Sequence, residues 1–163
     1  MKIFSIGGWS GSGKTTLITR LIEKFKSAGR RVVALKHAPH GPALQPESKD
    51  SARFLKAGAD RVFLSTPELL LQMSPIAGEE DLFGEVKNAL GQQDWLLLEG
   101  FYHDSVPLIE VFDSRRHRQL KFPASRLAAV ISDRPLPASA SALPAFNRDD
   151  IEGVAAFMEG YHD

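Results

Sequence analysis

Cysteine is absent from this chain of 163 residues, so disulfides and thiolate metal centres are excluded. A reducing compartment such as the cytoplasm suits that composition. Net charge is missing too: 20 Lys and Arg balance 20 Asp and Glu. A general nucleic-acid binder is not expected at that balance. No apolar run approaches the roughly 18 residues of a membrane span. Residues 1–8 lead straight into strand-like sequence with no separate apolar stretch and cleavage site, so no signal peptide is expected. No repeats and no interdomain linker are visible, and the length predicts a single domain over residues 1–163.

The composition is that of a globular protein, 43% hydrophobic and 25% charged. Charge is unevenly spread. Residues 1–61 hold 12 Lys and Arg against 4 Asp and Glu, and residues 62–110 hold 1 against 9. A basic first third suits anionic phosphates, and equally suits two solvated faces of opposite sign.

Ile3-Phe4-Ser5-Ile6 reads as an apolar strand. Leu17, Ile18, Leu21, Ile22 and Phe25 repeat at helical spacing and predict a helix from Lys14 to Ala28, ended by Gly29. Further strands are expected at 32–35, 62–64, 69–71, 95–98, 108–112 and 127–131. Further helices are expected at 50–57, 79–90 and from Asn147 onward, with Asn147 as the N-cap. Residues 37–48 and 134–146 read as loops. Continuous apolar strands alternating with helices predict a mainly parallel α/β sheet with helices on both faces; with the sequence Gly8-x-x-x-x-Gly13-Lys14-Thr15 between the first strand and the first helix, they predict the P-loop NTPase type.

The chemistry starts at residues 8–15. Gly8, Gly13, Lys14 and Thr15 fill the fixed positions of the pattern G-x-x-x-x-G-K-[ST], between a strand and an amphipathic helix. Gly8, Gly11 and Gly13 let the backbone turn its N–H groups toward phosphate oxygens, and the helix dipole adds to that field. Lys14 is expected between the β- and γ-phosphates, and the Thr15 hydroxyl on Mg²⁺. Trp9, Ser10 and Ser12 fill the variable positions, with Thr16 just beyond.

Such a fold needs a carboxylate at the end of a buried strand to hold the metal. Glu99 after Leu96-Leu97-Leu98 has that place, with Asp50 as rival or partner. No Asn-Lys-x-Asp motif for guanine is present. Asp133, after the strand 127–131, either reads guanine or is an ordinary turn residue. His37 and His40 suit a metal, a phosphate or other ligand contact, or simple backbone capping. Arg115, Arg116, His117 and Arg118 form either a solvated turn or a phosphate contact.

Together these segments resemble one family. They are Gly8 to Thr16, Lys36-His37-x-x-His40, Lys49-Asp50-Ser51-x-Arg53, Ala57-Gly58-Ala59, Leu98-Glu99-Gly100-Phe101, Ile109-Glu110-Val111 and Ala129 to Asp133. Their order and spacing resemble the MobB family of molybdopterin-guanine dinucleotide biosynthesis adaptor proteins. The resemblance implies a homodimer that binds GTP with Mg²⁺ and hydrolyses it weakly. It also implies a partner, the MobA-like molybdenum cofactor guanylyltransferase that joins GMP to molybdopterin. On that implication Lys14 and Thr15 bind GTP and Mg²⁺, and His37, His40, Lys49, Asp50 and Ser51 line the cleft. Two positions depart from the family pattern: Gln45 replaces an acidic residue and Ser48 a glycine. A small-molecule kinase and a metallochaperone GTPase are the competing functions for such a cradle.

Overall fold

Six short apolar strands associate side by side, and the first of them ends in the glycine-rich turn. In the computed structural model, residues 1–37, 49–75, 82, 84–86 and 93–162 are described. The described strands are β1 (Lys2–Gly7), β2 (Val32–Lys36), β3 (Val62–Ser65), β4 (Leu70–Met73), β5 (Trp95–Glu99), β6 (Leu108–Val111), β7 (Leu127–Ile131) and β8 (Ala145–Phe146). The helices are α1 (Lys14–Ser27), α2 (Lys49–Lys56) and α3 (Ile151–Gly160), with single helical turns at Ala124–Arg126 and Ala138–Ala140. The chain divides into two compact units. One comprises Met1–Ala38 and Gln92–Asp163, and the other is Pro39–Gly91.

The larger unit is the expected α/β fold. Its sheet has the order β2-β5-β1-β6-β7-β8, and every pairing in it is parallel. The chain leaves β1 toward one edge and later crosses to the other side of β1 to form β6. That reversal makes β1 the switch point, and the crevice beyond its carboxyl end is where an open α/β sheet receives ligands. Strand β5 lies between β1 and β2, and Trp95, Leu96, Leu97 and Leu98 are all buried. This explains its unbroken apolar run.

Leu17, Ile18, Leu21 and Phe25 of α1 pack with Val154, Ala155 and Met158 of α3 against Phe4, Ile6, Leu97, Ile109 and Ile131 of the sheet. Phe25 stacks on Trp95 at 4.1 Å between ring centres. Gly29 ends α1 with φ 72, the left-handed turn expected there. On alternate positions of the strands, Leu108 and Val130 join Phe112 and Leu127 in a second cluster under Tyr102, Leu120 and Phe122.

The smaller unit holds α2 and an antiparallel hairpin of β3 and β4, with Val62 opposite Met73 and Ser65 opposite Leu70. Phe63, Leu69, Leu70 and Leu71 of the hairpin are exposed, as is Phe54 of α2. Residues 82 and 84–86 of the expected helix at 79–90 are helical, and the remainder lies outside the described residues.

Two expectations are corrected. The last helix is capped by Asp150, whose side chain accepts from the Gly153 N–H at 2.9 Å. Asn147 instead accepts from the Asp149 N–H, at 2.9 Å, in a local turn that delays the helix. The expected loop at 134–146 ends in β8, which extends the sheet beside β7. Among the described residues no helix is long and apolar enough to cross a membrane.

Candidate functional site

The turn after β1 has the backbone its glycines predict. Gly8, Gly11 and Gly13 have φ of 132, 71 and 100, values that side-chain-bearing residues rarely adopt. A Cβ on Gly8 would stand 2.4 Å from the Val111 carbonyl oxygen. Helix α1 then begins at Lys14, with Gly13 at its N-cap, no side-chain cap and no acidic residue in its first turn. Its positive end is therefore uncompensated, as an anion site requires. The Lys14 ammonium donates to the Gly8 and Trp9 carbonyls at 3.2 and 2.8 Å, folding over the turn. Burial lowers the Lys14 pKa; Glu99 opposes that shift, while Lys121 and Lys36 reinforce it. The Ser12 hydroxyl is buried and has no hydrogen-bond partner among the described residues.

Three strand ends meet beside this turn. Thr15 Oγ1 lies 3.0 Å from both carboxylate oxygens of Glu99, at the end of β5. Lys36, the last residue of β2, reaches Glu99 at 3.4 Å, and the His37 N–H donates to the Glu99 carbonyl at 2.9 Å. Gly100 turns away at φ 75, where a Cβ would meet the His37 carbonyl oxygen at 3.4 Å. His37 packs edge-on against Phe101 at 6.1 Å.

These residues fit a nucleotide with Mg²⁺. The ion takes oxygen ligands at about 2.1 Å in octahedral array, so adjacent ligands stand about 3.0 Å apart. The spacing of the Thr15 hydroxyl and the Glu99 carboxylate is 3.0 Å. No group of three or more His, Cys, Asp and Glu gathers among the described residues.

The segment after β6 forms a wall against the turn. Trp9 donates from Nε1 to the Gln119 carbonyl at 3.1 Å and stacks on His117 at 5.2 Å. A Cβ on Gly11 would lie 2.9 Å from Arg116 Nη1. Arg115 grips Asp113 through two bonds, Nε to Oδ1 at 2.9 Å and Nη2 to Oδ2 at 3.0 Å. That grip holds the Asp113 carboxyl well below the usual range.

Glu110, fully buried on β6, anchors the far end of the wall by accepting the Lys121 and Phe122 N–H groups at 2.7 and 3.1 Å. Burial pushes the Glu110 pKa up, and those two bonds only partly offset the shift. An acid whose folded pKa is raised contributes most stability below its unfolded pKa and loses it as pH rises through the folded one. Relative to Glu110→Gln, the wild type should therefore gain stability as pH falls from 7 toward about 4.3. Urea denaturation of both proteins across that range checks this, and an unchanged or reversed difference contradicts it.

A cavity of about 230 Å³ opens between the loops after β6 and β7, lined among others by Phe112, Asp113, Arg115, Ser132, Asp133 and Arg148. Asp133 is 41% exposed there and pairs with Arg148 Nε at 2.9 Å.

The structure thus brings together Gly8, Trp9, Gly11, Ser12, Gly13, Lys14, Thr15, Lys36, His37 and Glu99. Ser10 and Thr16 are exposed members of the same turn and helix start. Asp133 belongs to the neighbouring cavity. His40, Gln45 and Ser48 lie outside the described residues, as do the side chains of Lys49 and Asp50, whose backbones open α2. Sequence reasoning missed Arg148. Its Nη1 donates to the Ser12 carbonyl at 2.7 Å and its Nη2 to the Phe112 carbonyl at 3.0 Å. No local pattern marks a residue that acts on a loop 136 positions earlier.

The comparisons with known proteins agree with this geometry. Residues 3–133 match the sequence model of the family described as MobB, molybdopterin guanine dinucleotide synthesis protein B. The molybdopterin-guanine dinucleotide biosynthesis adapter protein of Escherichia coli K12 is 32% identical, over 96% of this chain and 90% of that protein. The protein of the same name in Haemophilus influenzae is 31% identical, over 98% of this chain and 88% of its own. Among solved structures, Bacillus subtilis MobB superposes with a TM-score of 0.72 at 26% identity, over 99% of this chain and 100% of that one. By its matched segment and by its similarity along nearly the whole length, the chain belongs to the MobB family.

Proposed function

We propose that this chain binds GTP with Mg²⁺ and hydrolyses it slowly, as an adaptor for attachment of GMP to molybdopterin during molybdenum cofactor biosynthesis. The family assignment and the adapter names of its relatives support the pathway. The observation that carries the site is the Thr15 hydroxyl 3.0 Å from the Glu99 carboxylate, one residue beyond Lys14. Lys14 exchanges its two loop carbonyls for phosphate oxygens. Thr15 and Glu99 hold the metal, with Asp50 as a further carboxylate. Bound Mg²⁺ supplies neutralisation of phosphate charge. Asp133 reads the guanine edge, and Lys36, His37 and His40 contact phosphate or pterin.

The partner is a MobA-like molybdenum cofactor guanylyltransferase, in the cytoplasm. The chain works as a homodimer, a reading supported by the exposed Phe63, Leu69 and Leu70 on a two-stranded sheet whose outer edges pair with no other strand among the described residues. Slow turnover is supported by the pairing of both Arg115 and Arg116, the cations beside the turn, with Asp113. An arginine finger is worth roughly 10³–10⁵ in rate.

Calorimetry with GTP and ATP, followed by single-turnover hydrolysis, tests this reading. GTP should bind more tightly than ATP, with turnover below ~1 s⁻¹. Equal affinities remove the guanine assignment. Several turnovers per second, or rapid transfer to a small acceptor, favour an enzyme over an adaptor. Glu99→Gln keeps the shape and loses the charge. It should raise the Mg²⁺ concentration needed for half-maximal GTP binding several-fold while leaving metal-free binding close to wild type. An unchanged Mg²⁺ titration moves the role to Asp50.

A further inference from the structure

The guanidinium of Arg148 stands behind the phosphate turn, 22% exposed, and touches the ends of three segments at once. Nη1 binds the Ser12 carbonyl at 2.7 Å, Nη2 the Phe112 carbonyl at 3.0 Å, and Nε faces Asp133 at 2.9 Å. Its backbone is fastened as well. Arg20 of α1 donates to the Arg148 carbonyl at 2.7 Å and pairs with Asp149 at 3.0 Å. A side chain fixed at both ends holds its donors where they are. The planar fork of arginine matches two divergent acceptors, which an ammonium does not.

The Ser12 contact has a consequence for the ligand side. Ser12 and Gly13 share one planar trans peptide, so its N–H points opposite to its carbonyl. Arg148 draws the Ser12 carbonyl to itself, and the Gly13 N–H is thereby directed away from Arg148. This peptide can also turn over readily, because Gly13 at φ 100 resists neither orientation. The space a Cβ on Gly13 would take is closed by Arg148 Nη1, 2.8 Å away.

We propose that Arg148 is a positioning residue which locks the Ser12–Gly13 peptide with its N–H toward the bound phosphate, and which ties that lock through Asp133 to the cavity after β7. The proposal rests on the reading of the cradle as a phosphate site. It assigns Arg148 no direct contact with nucleotide. Release of the lock leaves the fold and removes one aligned phosphate donor.

The test uses the full chain with Mg²⁺, tripolyphosphate and GTP as probes. Arg148→Met should weaken both by a similar factor, about tenfold, as for one lost charge-assisted hydrogen bond. In ¹H–¹⁵N spectra the Gly13 amide should move strongly on adding tripolyphosphate to wild type. It should move much less in Arg148→Met, with the Gly11 amide responding as before. Arg148→Lys reaches one carbonyl at most and should recover only part of both effects. If Arg148→Met does not fold, Arg148→Lys carries the same comparison. Wild-type tripolyphosphate affinity with an unchanged Gly13 response in a folded variant overturns the proposal. A wild type that binds neither probe overturns the phosphate reading itself, and the lock with it.

Discussion

Lys14→Ala should abolish measurable GTP binding, with affinity falling by at least about 100-fold. Its ammonium is the cation that folds over the turn, and it already spans two inward carbonyls, at 3.2 and 2.8 Å. Charge-assisted bonds to phosphate are worth roughly 1.5–3 kcal/mol each, so losing two removes about 3–6 kcal/mol. Arg116 packs over Gly11 but is 65% exposed, and water screens an exposed cation too well for it to substitute. The fold should persist, because Lys14 is only partly buried on the first turn of α1 and belongs to neither core cluster. Calorimetry with Mg²⁺ and GTP checks the affinity, and circular dichroism checks the fold. Binding within twofold of wild type would show that the turn is not the phosphate site.

Gly8→Ala should damage both stability and binding. Its Cβ would sit 2.4 Å from the Val111 carbonyl oxygen and 2.8 Å from Ser12 Oγ, at φ 132. Val111 is backbone of a central strand and cannot step aside. A left-handed conformation alone costs about 1–2 kcal/mol, and overlap with a fixed carbonyl adds to it. A total loss of at least about 3 kcal/mol is expected. Gly29→Ala is the control. It shares a positive φ, 72, but nothing lies within 4 Å of the added carbon, so the conformational cost alone should appear. Urea denaturation of the three proteins decides it. If Gly8→Ala loses no more stability than Gly29→Ala, the contact with β6 does not constrain the turn.

Much of this arrangement was legible in residue order because its causes are local. The glycines needed for positive φ stand in the turn itself. The continuous apolar run 95–98 announces a strand buried on both faces, and Glu99 announces where that strand meets water. The same logic failed at Asn147. Asn and Asp both cap helices, and nothing nearby says that Asn147 spends its carbonyl on Asp149, leaving Asp150 to cap. β8 was invisible because two residues, Ala145 and Phe146, carry no periodicity; pairing to β7 makes the strand. The wall after β6 and the Arg148 clamp were equally hidden. Trp9 meets His117, and Ser12 meets Arg148, only after the sheet has brought distant loops to one edge.

The stack of Trp9 on His117 also makes the protein its own optical probe. The chain has two tryptophans, and Trp95 is 3% exposed beneath Phe25, insulated from events at the surface. Trp9 lies inside the phosphate turn and stacks on the His117 imidazole at 5.2 Å. A shift of the wall that parts the two rings changes the surroundings of Trp9 and leaves those of Trp95 as they are. Tryptophan emission would follow such a shift in real time, with no label attached.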